Sequence, residues 1–239
     1  MVYETPDQAL RTLALLKKGA VFQQEGQYAE AQRTLERANA FVGADSLRYQ
    51  VMYQSALNAY LAGMYPQART HAQKVRFLLA NTPFQWEAFH LELMSLHEER
   101  KWSEARELYA QHYLAAGWNA NAEAMYGEPV KLKNEDRAEW LQIFLPGVGQ
   151  MYAGKFGEGL VSGLANGGAI AYAVYHAWQG YWFTAAFTGA GLFYAFYTGG
   201  LRYTTTLVQN YNQRAVEEYN RNLQERLLGE VEQVRASVE

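Results

Sequence analysis

His90, Met94 and His97 recur at helical spacing, so two ring nitrogens and a thioether share one helix face. That donor set could in principle hold a transition metal, but no carboxylate or thiolate is placed to complete it. The same three residues read more simply as the lining of a groove. A second chemical candidate is "PGVGQMYAGKFGEG", residues 146–159, whose glycines lie ahead of a helix as in a phosphate cradle. Its spacing matches neither the Walker A loop nor the dinucleotide fingerprint, and the helix that follows is apolar. With no cysteine in the chain there is no thiolate nucleophile, disulfide framework or thiolate metal site. His71, His112 and His176 are scattered, and no nucleophile with its base and no catalytic carboxylate pair can be assembled from spacing. The expectation is a non-enzymatic protein with no cofactor and no metal.

The net charge of −3 and the lack of any basic run argue against binding to nucleic-acid phosphates. The opening "MVYETPDQALRTLALL" lacks a basic patch followed by an apolar core, so no signal peptide is expected in this chain, although a precursor could have carried one. A chain of 239 residues has ample length for one large or two small domains.

Stepping along the chain brings three segments into register: "EGQYAEAQRTLERA", "AGMYPQARTHAQKV" and "ERKWSEARELYAQH". Tyr28, Tyr65 and Trp102 are spaced by 37, as are Ala31, Ala68 and Ala105. A fixed period of this size marks stacked helical hairpins, with the alanine small where two helices approach and the aromatic plugging the turn. Gly26 and Gly63 occupy the turn position, and Arg100 departs from it. On these residues, roughly 10 to 116 resemble three tetratricopeptide repeats. The resemblance implies a protein-binding scaffold whose concave groove would include Tyr53, Leu57 and Tyr60 from one hairpin and His90, Met94 and His97 from the next. The lysines and asparagines with which some relatives clamp a carboxyl-terminal tail are missing, so an apolar or helical segment is the expected ligand.

After Gly117 the pattern loosens into a linker marked by Gly127 and Pro129, and Asn134 is placed to cap a short helix from about Glu135 to Leu145. Trp140, Ile143 and Phe144 give that helix an apolar edge, and Pro146 stops it. Between Glu158 and Arg202 there is no Asp, Glu, Lys or Arg, although these make up 19% of the chain. Residues of about 157–178 and 181–201 each reach the roughly 20-residue length that a bilayer requires, and Tyr175, Trp178, Tyr181 and Trp182 gather at the bend as rings do at headgroup level. Gly159, Gly163 and Gly167, Ala185 with Gly189, and Ala195 with Gly199 repeat every four residues, a spacing that lets helices nest, and Asn166 could bond across that face. An oligomer interface, with like or unlike chains, is the alternative use of these glycines.

Pro146, Gly147, Gly149, Gln150, Tyr152 and Gly154, with Gly159 following, resemble the Pro-Gly-x-Gly-Gln-x-Tyr-x-Gly signature of a family of small two-helix membrane domains in bacteria. The Tyr211–Asn212 pair resembles the exit of that domain. The match covers roughly residues 140 to 213, and it implies a hinge at a lipid surface, with Lys155 able to meet lipid phosphate. From Arg202 onward the chain reads as an amphipathic helix with a stripe at Leu207 or Val208, Tyr211, Ala215, Tyr219, Leu223, Leu227, Val231 and Val234. Packing within the chain is its simplest use.

The expected architecture is all-α: tetratricopeptide-like hairpins (1–118), a linker and interfacial helix (119–145), a glycine-rich hinge and transmembrane hairpin (146–203), and a long amphipathic C-terminal helix (204–239). The expected function is a membrane-anchored adaptor or scaffold that binds another protein, as a subunit of a bacterial envelope assembly. A small oligomeric transport or channel component built from the hairpin is the alternative. The expected location is integral to a bacterial membrane, with the repeats in the periplasm; the flanking Lys155 and Arg202 favour the cytoplasmic side instead.

Overall fold

The computed structural model describes residues 6–80, 82, 84–115 and 121–238, and they contain helices and turns but no strand. The expected break at Gly117 lies outside the described residues, as do the side chains of Val231 and Val234. In chain order the helices are α1 (Pro6–Gln24), α2 (Tyr28–Leu35), α3 (Asp45–Leu61), α4 (Tyr65–Leu78), α5 (Phe84–Glu98), α6 (Trp102–Ala115), α7 (Ala122–Tyr126), α8 (Glu135–Phe144), α9 (Val148–Tyr152), α10 (Phe156–Trp178), a one-turn α11 (Trp182–Thr184) and α12 (Ala190–Val238). A π-helical segment, Ala185–Gly189, joins the last two. The chain divides into two compact units, one running to Pro129 and resuming at Leu223, the other Val130–Asn222.

In the first unit the 37-residue period recurs in backbone geometry. Gly26, Gly63 and Arg100 all have positive φ, at 74°, 75° and 59°. Behind each, the next amide donates five residues back: Gln27 to the Phe22 carbonyl, Met64 to Ala59 and Lys101 to Leu96, at 2.8, 2.8 and 2.9 Å. This is the Schellman arrangement, which satisfies carbonyls that a helix end leaves open. The following helices start at Tyr28, Tyr65 and Trp102, and Ala31, Ala68 and Ala105 are wholly buried. Consecutive helices α1 to α6 pack on one another, because a methyl group at each of those alanines lets the backbones approach. Met52, Val75, Leu79 and Ala88 form one core cluster and Ala56, Ala72 and Leu91 another, so α3, α4 and α5 share their apolar faces. The segment expected as a linker contains α7, capped by Asn121, whose Oδ1 accepts from the Glu123 and Ala124 amides; Met125 and Tyr126 are buried.

In the second unit Asn134 caps α8 by accepting from the Arg137 amide at 2.8 Å. Gly147, with φ 97°, turns the chain directly into α9. Gly154 ends α9 and Gly180 ends α10 with the same five-back hydrogen bond, from Lys155 to Gln150 at 3.0 Å and from Tyr181 to His176 at 2.9 Å. Ala138, Ala153 and Val208 form the core where α8, the end of α9 and α12 meet.

Two sequence expectations change here. Among the described residues no helix is long and apolar enough to cross a membrane, so the reading of an integral bacterial membrane protein with periplasmic repeats is overturned. The physical reason lies in composition. α10 spans 23 residues, but its glycines and alanines contribute little, and Glu158, Asn166 and His176 lie within it. The second apolar stretch does not form a separate spanning helix. It begins as a single turn, passes through the π segment and continues without a break into the charged part of the 49-residue α12. Lys155, expected to meet lipid phosphate, pairs with Glu158 at 3.3 Å. The second change concerns the buried stripe of α12, which runs through Thr204, Val208, Asn212, Val216, Asn220, Leu223 and Leu227. It lies one position past the expected Tyr211, Ala215 and Tyr219, because buried polar side chains occupy the face that hydrophobicity alone could not locate.

Candidate functional site

Within the first unit, α3, α5 and the C-terminal part of α12 enclose a cavity of about 480 Å³. Tyr53, Leu57, Tyr60, His90 and Met94 line it, together with Leu227 and Leu228. These five are the residues that helical spacing brings to one face of α3 and one face of α5. His97, the sixth residue chosen from sequence, does not reach the cavity. It is fully buried, and its Nε2 lies 3.0 Å from the Tyr126 hydroxyl. His97 keeps nearly the direction of His90, two turns on, but that far along α5 the face meets Tyr126 of α7 and not the groove, which spacing within α5 could not anticipate.

The cavity wall is mainly apolar, with Glu87, His90 and Gln224 as its polar members besides the tyrosine hydroxyls. Burial, with Glu98 and Tyr65 nearby, pushes the Tyr60 phenol up to about 12, and burial also raises Tyr53. His90 Nδ1 lies 2.7 Å from the Trp86 carbonyl, which can only accept, so that nitrogen carries the proton. Burial holds the ring below its usual range, and the Trp86 bond and Glu230 oppose this only in part. A neutral imidazole therefore lines the cavity, and its buried Nε2 has no hydrogen-bond partner. Among the described residues no three histidine, aspartate or glutamate side chains converge as metal ligands would.

The C-terminal helix is fastened here by polar contacts as well as by Leu223 and Leu227. The buried Tyr109 hydroxyl donates to Glu230 Oε2 at 2.5 Å, and Arg226 Nη1 donates to the Met125 carbonyl at 2.8 Å. Between α4 and α5 Glu92, almost fully buried, accepts from Gln73 and Arg76. Burial works to raise Glu99, but hydrogen bonds from Lys101 and Arg69 outweigh it and hold the carboxyl below its usual range.

In the second unit the glycine-rich motif works as a packing device. A β-carbon on Gly147 would sit 2.0 Å from the Gly159 carbonyl oxygen, and one on Gly159 would sit 2.4 Å from that of Gly147. Two backbones therefore touch with no side chain between them. A β-carbon on Gly149 would meet the Ala138 oxygen at 2.5 Å and Thr204 Cγ2 at 2.8 Å, where α9 crosses α8 and α12. Gln142 Oε1 accepts from the Gly147 amide at 2.9 Å. The Tyr152 hydroxyl accepts from the Asn134 amide at 3.1 Å, and Pro146 directs its carbonyl toward Gly163, whose β-carbon would lie 3.1 Å from it.

Of the small residues expected to nest helices, Gly189 does so tightly, its β-carbon position falling 2.4 Å from Ala173 Cβ. Ala185 and Asn166 are buried, Asn166 donating to the Ser162 carbonyl at 2.8 Å. Gly167 and Gly199 face open space, and Ala195 lines a surface crevice. The four-residue repeat drifts off the contact face because an α-helix turns every 3.6 residues. Sequence reasoning missed Gln142, Gly200, Thr204 and the clamp made by Asn212, whose Oδ1 accepts from the Lys133 amide while its Nδ2 donates to the Lys133 carbonyl, both at 2.8 Å. The Tyr211–Asn212 pair was the available signal, without a partner to attach to it. No protein-family model matches the chain, and no curated protein matches it.

Proposed function

We propose that the chain is a helical-repeat adaptor that binds another protein by taking an apolar side chain or short helical segment into the groove of its first unit. The observation that carries this reading is the cavity walled by Tyr53, Leu57, Tyr60, His90 and Met94. Its rim carries the large apolar side chains of Leu61 and Leu228, which are 42% and 65% exposed. A pocket of this size, apolar with one or two polar groups to fix orientation, suits an anchoring side chain of a partner helix. The resemblance of the 37-residue period to tetratricopeptide repeats supports the same reading, and the shared geometry at Gly26, Gly63 and Arg100 is consistent with it.

The test is selection of displayed peptides on the immobilised full chain, with Met94→Arg as comparison. Wild type is expected to enrich segments with apolar residues at helical spacing, and M94R, matched for helix content by circular dichroism, is expected to lose them. Equal enrichment by both proteins would remove the groove from the reading.

A further inference from the structure

A second concavity lies in the other unit, along the crevice between α10 and α12, with a volume of about 560 Å³. Its walls are Val161 and Ala165 on one side and Ala195, Phe196 and Gly199 on the other, so hydrocarbon lines nearly its whole length. Its floor is different. Gly200 lines the crevice, and around the place where a β-carbon on it would sit stand Gln142 Nε2 at 2.7 Å, Ser162 Oγ at 3.2 Å and Gln150 Nε2 at 3.5 Å. Gln142 is wholly buried and Gln150 is 3% exposed. Gln142 spends its oxygen on the Gly147 amide, which fixes the direction of the amide group, and its Nε2 has no partner. A buried donor left without an acceptor is costly, so Gln142 Nε2, with Gln150 Nε2 beside the same position, favours an occupant that brings an oxygen to it.

We propose that this crevice binds a free single-chain amphiphile, with an uncharged acceptor oxygen seated beside Gly200 and the hydrocarbon chain lying along Val161, Ala165, Ala195 and Phe196. The charge of the head group follows from the mouth. Glu158 lines the crevice, and a hydrogen bond from the Tyr203 hydroxyl, 2.6 Å from Oε2, holds its carboxyl below the usual range. Of the Glu158–Lys155 pair only the carboxylate lines the crevice, so an anionic head group meets the negative member, whereas an alcohol or amide meets only the donors on the floor. From Gly157 to Ala165 the wall runs about 12 Å along the helix axis, which suits a medium-length chain. Gly199, with nothing within 4 Å of its β-carbon position, leaves the space open.

The experiment is calorimetric titration of the full chain with decanol and with decanoate, on wild type and on Gly199→Leu. The leucine enters the crevice from an open helical position, so the variant folds; far-ultraviolet circular dichroism and the unfolding midpoint verify this. Saturable one-to-one binding of decanol is expected, at least ten-fold tighter than decanoate and at least ten-fold weaker in G199L. A third arm, Gln150→Leu, is expected to erase the preference for decanol over decanoate by more than it weakens chain binding. Non-saturable uptake equal in wild type and G199L would mean general adsorption to the exposed apolar side chains and would overturn the proposal. Equal affinity for the two ligands would overturn the role of the amides, and decanol binding that disappears as the protein self-associates would assign the crevice to a second copy of the chain.

Discussion

Arg100 takes the left-handed backbone conformation, φ 59°, that Gly63 takes at 75° one repeat earlier. The Lys101 amide reaches back to the Leu96 carbonyl as the Met64 amide reaches back to Ala59, so the third turn is built like the second at a residue with a β-carbon. The left-handed region costs an ordinary L-residue about 1–2 kcal/mol relative to glycine, offset in part by the greater entropy that glycine loses on folding. Arg100→Gly is therefore expected to stabilise the chain by ~1 kcal/mol, read as a higher urea midpoint with an unchanged slope. An unchanged or lower midpoint would show that the arginine side chain contributes more than the turn costs.

The glycines of the motif divide into two groups that mutagenesis separates. Gly147→Ala would place a methyl group against the Gly159 carbonyl at a positive φ, and strain plus overpacking each cost roughly 1–3 kcal/mol. Gly167→Ala puts the same methyl into open space within α10, where alanine is favoured over glycine by about 1 kcal/mol. The expected outcome is severe loss of stability in the first variant and a small gain in the second, measured by denaturant unfolding.

Acid should weaken the first unit through its histidines. Burial pushes His97 down to about 4, and burial, with Arg76 and His90 nearby, does the same to His112. Unfolded, each ring would protonate near its ordinary value of 6.5. Between pH 6.5 and 4 the unfolded chain therefore binds more protons than the folded one, and stability falls as pH falls, by up to about 1.4 kcal/mol per pH unit for the wholly buried His97 and by less for the half-buried His112. Above pH 6.5 the effect is absent. His97→Gln, which keeps a hydrogen-bonding group toward Tyr126 but does not titrate, is expected to lose less stability than wild type between pH 7 and pH 5 in parallel urea titrations.

Asn212 holds both the amide and the carbonyl of Lys133. Asn212→Ala leaves that part-buried backbone pair without its partner, at an expected cost of roughly 1–3 kcal/mol. Hydrogen exchange at the Lys133 amide should accelerate together with that of neighbouring residues in α8. Acceleration confined to Lys133 would mean that the clamp is local and does not hold the entry to the helix.

The elements legible in the sequence were those set by local, periodic chemistry. The period at Tyr28, Tyr65 and Trp102 marks the starts of α2, α4 and α6, and Asn134 caps α8 where its short side chain could reach an open amide. Spacing along α3 and α5 brought Tyr53, Leu57, Tyr60, His90 and Met94 to a common cavity. It failed at His97 because a position one turn further along faces a different neighbour. The charge-free interval from Gly159 to Leu201 was legible as an anomaly, yet absence of charge is a weaker condition than the hydrocarbon content a bilayer requires. Gly, Ala and Asn166 keep the interval uncharged without making it apolar enough to cross.

What the sequence determined by itself was where helices begin, where the backbone must turn left-handed, and which small residues allow close approach, since each depends on a few neighbouring residues. What only the tertiary structure decided was which surfaces meet. Gly147 lies against Gly159 while Gly167 faces open space, Tyr109 finds Glu230, and Asn212 reads the backbone of Lys133. Those choices depend on contacts between segments far apart in the chain, and a one-dimensional pattern carries the periodicity of a face without naming what the face will touch.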